Sequence, residues 1–205
     1  MKNTVLIIAI AGLSFSSGAQ EEFSLSIVGA PATIDATNGA TITIDIIGDS
    51  TFGTHMFGGS FSMISRSDLI NNIAWTPAGW SAFNLDGGYA GHGDYNLIVF
   101  DQLWHQGPAF PGSGLGMAIG SFQIQIGAGG VGVIDLSLIS GPLFTLEAVE
   151  WSFTGFPGGP GHSMNDTKGN LTLNGASINV VPSMPSISVL AFAGLATSRR
   201  KRKTS

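Results

Sequence analysis

No cysteine occurs among the 205 residues. That excludes disulfide staples, thiol nucleophiles and cysteine-ligated zinc, so the fold must rest on core burial, bound ions or partners. Charge is scarce too, with Asp, Glu, Lys and Arg making up 10% of the chain. The Glu and Lys that usually coat helix surfaces are few, which argues against a helical protein. Basic residues are the scarcest, and five of the eight sit in one block: Arg199, Arg200, Lys201, Arg202 and Lys203. Between Gln20 and Val181 thirteen acids face only Arg66 and Lys168, a net charge of −11 that the whole-chain value of −5 conceals. A body this acidic repels phosphate backbones, which excludes nucleic acid as a partner, and it attracts cations such as Ca²⁺. What is plentiful is glycine, 30 residues, together with Ser, Thr and Ile. That composition fits a β-rich extracellular module of a single domain.

The N-terminus reads MKNTVLIIAIAGLSFSSGAQEEF. Lys2 supplies a basic start, Val5 to Leu13 an apolar stretch too short to anchor a span, and Ser17 and Ala19 the small residues before a cut between Ala19 and Gln20. This is the layout of a secretory signal peptide, so residues 1–19 are expected to form a signal helix that signal peptidase removes after engagement with the secretion machinery.

Residues 20–181 carry the folded domain. FSLSIVG, ATITIDIIG, GSFSMIS, SFQIQIG, VGVIDLSLI and LTLNGASINVV alternate apolar and polar residues with period two, the pattern of half-buried antiparallel strands. YNLIVF is apolar throughout its centre, as a strand deep in a sheet would be. Asn174-Gly175 and GAGG at 127–130 predict hairpins, and TNGA at 37–40 predicts a further Asn-Gly turn. SRSDLINNIAW, 65–75, predicts one short helix capped by Ser67, since Leu69, Ile70 and Ile73 fall at helical spacing. The Gly- and Pro-rich stretches 84–94, 105–116 and 154–170 predict long loops. The expected architecture is all-β: an antiparallel two-sheet sandwich or jelly roll.

Chemistry-bearing clusters are sparse. There is no Gly-x-Ser-x-Gly elbow, and Glu147 and Glu150 are three apart, so on a strand they face opposite sides and cannot share a glycosidic bond. A secreted hydrolase is therefore the weakest reading, and no catalytic residue is assigned. The loop DGGYAGHGDYN places Asp86, His92 and Asp94 within nine residues among glycines, a candidate metal set whose oxygens suit Ca²⁺ and whose one His with two Asp suits a transition metal; the alternative is a plain turn built from Asp and Gly. Trp75, Trp80, Trp104 and Trp151 with Tyr89 and Tyr95 could stack on sugars or close a sandwich core. A carbohydrate- or Ca²⁺-binding module is thus the alternative to a structural or adhesive role.

The chain closes with PSMPSISVLAFAGLATSRRKRKTS, residues 182–205. Pro182 and Pro185 stop strand pairing. The apolar run Ile187 to Ser198 would be about 18 Å long as a helix, short of the roughly 30 Å hydrocarbon core. The basic block behind it would stay cytoplasmic.

Two resemblances follow from these residues. The order of Pro linker, short apolar helix and basic knot resembles the C-terminal signal of PEP-CTERM proteins. There a Pro-Glu-Pro motif is thought to be cut by an exosortase, which sends the protein to the cell surface or the exopolysaccharide matrix. Here Pro185 and Ser186 match the end of the motif, Met184 stands in place of the glutamate, and Pro182 lies one place early. The resemblance implies transient anchoring in the inner membrane, an exosortase-like sorting enzyme as partner, and a non-enzymatic envelope protein. Separately, SLSIVGAPATIDATNGATITIDIIGDSTFGTHMFGGSFSMIS resembles the opening of cohesin-like, carbohydrate-associated sandwiches, which implies that fold and no particular ligand.

Overall fold

The structure, a computed structural model, describes residues 20–103, 112–150 and 162–182. The expected signal peptide, residues 1–19, the part of the expected sorting segment beyond Pro182, and Trp104, His105 and Trp151 lie outside the described residues. Within them fourteen strands form and no helix occurs. They are β1 (Glu22–Val28), β2 (Thr33–Asp35), β3 (Ala40–Ser50), β4 (His55–Ile64), β5 (Ile70–Pro77), β6 (Phe83–Asp86), β7 (Tyr89–Gly91), β8 (Asp94–Asp101), β9 (Ala118–Ile126), β10 (Gly132–Ser140), β11 (Glu147–Glu150), β12 (His162–Asn165), β13 (Asn170–Asn174) and β14 (Ala176–Val181).

Two sheets pack face to face. The shorter runs β13-β1-β3-β9-β5, with β13 parallel to β1. The longer sheet has nine strands and forks at β4: β8 lies on one edge, carrying β6 and β7 beyond it, while β10 and β11 share the other edge end to end. Alternation assigns the layers as expected. On β3, Ile42, Ile44 and Ile46 are buried while Thr41, Thr43 and Asp45 are exposed. The two inner faces meet in one core, where Phe61 packs edge-on against Trp75, Phe100 and Phe122, and the rings of Trp75 and Phe122 lie 4.7 Å apart. With 28 apolar residues buried together, the core holds the fold without disulfides.

Five local expectations are corrected: one helix, two hairpins and two loops. The helix over 65–75 is instead a turn leading into β5. Ile70 and Ile73 are both buried because a register shift between Ile70 and Asn72 inserts an extra residue, so a bulged strand shows the i, i+3 spacing of a helix. Neither Asn174-Gly175 nor 127–130 closes a hairpin: β13 and β9 belong to the short sheet, β14 and β10 to the long one. TNGA does make a turn, with Gly39 N–H donating to the Ala36 carbonyl at 3.0 Å, but it too carries the chain from one layer to the other. The stretch 84–94 is strand for most of its length, and His162–Asn165 of the third expected loop is strand β12.

Within that stretch, expected as a loop, lies a tight two-residue hairpin. It joins β7 to β8, where Gly91 pairs with Asp94 and the two residues between them, His92 and Gly93, have φ of 52° and 80°. Positive φ at both central positions is the two-residue turn that matches strand twist.

Candidate functional site

The Gly-rich loop is built for structure. Asp86 Oδ1 accepts from the Gly88 N–H at 2.9 Å and from the Tyr95 hydroxyl at 2.7 Å. Burial, and secondarily Asp86, push the Tyr95 hydroxyl well above its ordinary range. Asp94 Oδ1 accepts from the backbone N–H groups of Ser65 and Arg66, tying the β7–β8 hairpin to the chain entering β5. His92 pairs with Asp68 at 2.5 Å on the surface, and that partner raises its pKa above 6.5. The three residues thus turn to three different sets of partners. Among the described residues no group of three or more His, Asp or Glu could hold a metal ion.

The aromatic residues divide similarly. Trp75, Trp80 and Tyr95 are buried, and Trp80 Nε1 donates to the Ala118 carbonyl at 2.8 Å. Their ring faces fill the core and are closed to a sugar.

A different surface gathers exposed apolar and half-buried acidic groups: the outward face of the long sheet. Because directly paired residues share a face, the ladders define its rows. One row runs Phe83, Asp101, Gly58 and Glu147 across β6, β8, β4 and β11. A second runs Leu85, Val99 and Ser60 across β6, β8 and β4. Ser62 and Ile139 pair on the same side of β4 and β10. Phe83 and Leu85 are each 46% exposed and Ile139 43%, although the inward partners Phe61 and Phe100 are wholly buried.

Gly58 is the centre of the first row. A side chain there would meet Asp101 Oδ2 at 2.9 Å and the Phe100 carbonyl at 3.0 Å, so the carboxylate of Asp101 leans over the bare backbone. Glu147 flanks the same glycine from the opposite strand, which puts the two Cα atoms about 10 Å apart. Burial raises the pKa of both acids; for Glu147 the charge of Asp101 raises it further while Ser163 opposes. Each is already engaged, Asp101 by the Leu103 N–H and Glu147 by Ser163. Nearness in sequence pairs Glu147 with Glu150, whereas the sheet brings Glu147 to Asp101. The Asp101–Gly58–Glu147 row exists only through pairing between strands some 45 and 90 residues apart, as read from the numbering, and local pattern carries no signal for it.

No family model matches the chain, and no curated protein matches it. Solved structures do. The seventh ScaB type I cohesin from Pseudobacteroides cellulosolvens aligns with a TM-score of 0.50 at 12% identity, over 82% of this chain and 97% of that one. CaCohA2 from Clostridium acetobutylicum aligns at 0.49 and 12%, over 81% and 95%. A Clostridium thermocellum type I cohesin–dockerin complex, Coh-OlpA-Doc918, contributes a chain aligned at 0.45 and 8%, over 77% and 99%. The match at 0.50 is a likeness of fold: the described chain is a cohesin-like β-sandwich, as its opening residues led one to expect.

Proposed function

We propose that this chain is an exported, non-enzymatic module that binds a protein partner through the outward face of its long sheet, and that its two ends deliver it to the cell surface or exopolysaccharide matrix. The observation that carries the binding role is the face itself, where Phe83, Leu85 and Ile139 stand exposed on one side of the sheet while Phe61 and Phe100 are buried on the other. The partner's chemistry follows from charge. Asp101, Glu147 and Asp135 lie on the strands of this sheet, while Arg66 and Lys168 lie outside its strands, so the complementary surface is apolar and basic. A binding role suits polar groups that are spent on structure: Ser60 Oγ donates to the Phe144 carbonyl at 3.0 Å, and Asp101 and Glu147 hold local contacts.

Delivery rests on the terminal segments. Cleavage between Ala19 and Gln20 releases the body after export. Pro182, Met184, Pro185 and Ser186, ahead of the apolar run and the Arg199 to Lys203 block, then address it to an exosortase-like enzyme. A photo-crosslinking residue placed at Leu85 in the native host tests the binding role, with Thr43 on the other sheet as control. One protein species crosslinked from Leu85 alone, and lost on Phe83→Ser, is the expected result; equal crosslinking from both positions, or from neither, refutes it. Intact mass of the surface protein tests delivery, since a species still running to Ser205 was never sorted by cleavage.

A further inference from the structure

The long sheet is interrupted where β10 ends and β11 begins, both lying along the same edge of β4. Between them residues 141–146 rise as a crest, with Leu143 near its middle, 79% exposed and the most open of the large apolar side chains among the described residues. An exposed leucine is ordinary on a loose loop, but this crest is held firmly. The Gly141 N–H donates to the Ser60 carbonyl at 3.0 Å and also meets Thr145 Oγ1, while Ser60 Oγ donates to the Phe144 carbonyl. At the far foot, Asp166 Oδ1 accepts from the N–H groups of Thr145 and Leu146, and both residues are fully buried. The seat has no slack: a side chain at Gly59 would come 2.1 Å from the Thr145 carbonyl oxygen, and one at Gly141 would come 1.8 Å from Ser60 Oγ. The ordering cost of presenting Leu143 is therefore met on folding, as in a pre-organised anchor. One foot leads straight into Glu147, which faces Asp101 across Gly58, so the surface beside the crest is acidic.

Resting on the docking face proposed above, we infer that Leu143 is the anchor of that interface, entering an apolar pocket on the partner whose rim carries Lys or Arg opposite Glu147 and Asp101. Leucine is not among the commonest hot-spot residues; what qualifies Leu143 is pre-organisation: an apolar side chain already held in place fills a desolvated pocket, and charge beside it selects the partner.

The test uses the full chain and two labelled 14-residue amphipathic helical peptides, one of Leu and Lys and one of Leu and Glu, followed by fluorescence anisotropy. The Leu/Lys peptide binds and the Leu/Glu peptide does not. Leu143→Asp weakens binding about tenfold or more while melting with the parent, because the side chain it replaces is exposed. Glu147→Gln weakens it severalfold and flattens its salt dependence, whereas Asp45→Asn, an equal loss of charge on the other sheet, leaves it unchanged. If Leu143→Asp binds like the parent while Phe83→Ser and Leu85→Ser weaken binding, the anchor is wrong and the docking face stands. If the Leu/Lys peptide fails to bind, or Asp45→Asn weakens it as much as Glu147→Gln, the anchor and the docking face both fall.

Discussion

Single residues here are chosen against their neighbours' backbone. Gly58 and Gly59 carry no side chain because Asp101 and Thr145 occupy that space, and Gly120 is bare because the Trp75 ring lies across it. Asp101 shows what such crowding costs. Burial raises its pKa, as it does that of Glu147, so the folded state holds the proton more tightly than the unfolded chain. For an acid with a raised folded pKa, the linked stability is present in full below the unfolded value and is lost as pH rises through the folded one. Asp101→Asn keeps an oxygen to accept from Leu103 and removes the charge. The variant is therefore expected to melt higher than the parent at pH 7 by about 1–3 °C, both groups being half open to solvent. That gain should vanish near pH 3.5. Parallel thermal melts across pH check it, and a gain that does not change with pH would mean burial is not the cause.

At the scale of elements, much of the fold was legible and the exceptions share a cause. Alternation in β1, β3, β9 and β10 stands out because each has one face on the core and one in solvent. The bulged β5 was missed because one inserted residue turns a period of two into a spacing of three. The glycine turns were misread because sequence locates a turn without saying which sheet each flanking strand joins. Gly175 makes the point. It has an ordinary negative or extended φ, and its lack of a side chain serves instead the close passage of β10, since a Cβ would lie 2.3 Å from the Leu136 carbonyl oxygen. A hairpin turn at Asn174-Gly175 would depend on positive φ at both residues; a crossing depends only on space at Gly175. Gly175→Ala is accordingly expected to destabilise by about 1–3 kcal/mol, and Asn174→Ala by well under 1 kcal/mol, in urea denaturation. Equal costs at the two positions would restore the hairpin reading. The outward face of the long sheet, the proposed docking surface, was the least legible part, since its rows are assembled from β6, β8, β4 and β11 by pairing between distant segments.

For the whole molecule the unusual quantity is charge. The body folds with thirteen acids against two bases and no disulfide to hold it. Among the described residues the one ion pair is the exposed contact of His92 with Asp68, and a pair so open to solvent offsets little. The acids are spread over both sheets: Asp45 and Asp49 lie on β3, Asp135 on β10, and Glu147 and Glu150 on β11. Mutual repulsion therefore acts through solvent over distances longer than a contact, the regime that salt screens with a Debye length of about 10 Å at 0.1 M. The folded state concentrates this charge more than the unfolded chain does, so screening favours folding. Melting temperature should climb as sodium chloride rises from about 0.01 to 0.3 M, with most of the gain below about 0.15 M. Replacing sodium chloride with potassium chloride should reproduce the curve, because screening depends on ionic strength and not on the identity of the cation. A melting temperature that ignores salt would show that repulsion is not what limits this fold. One that responds to the cation and not to ionic strength would point to a bound ion instead.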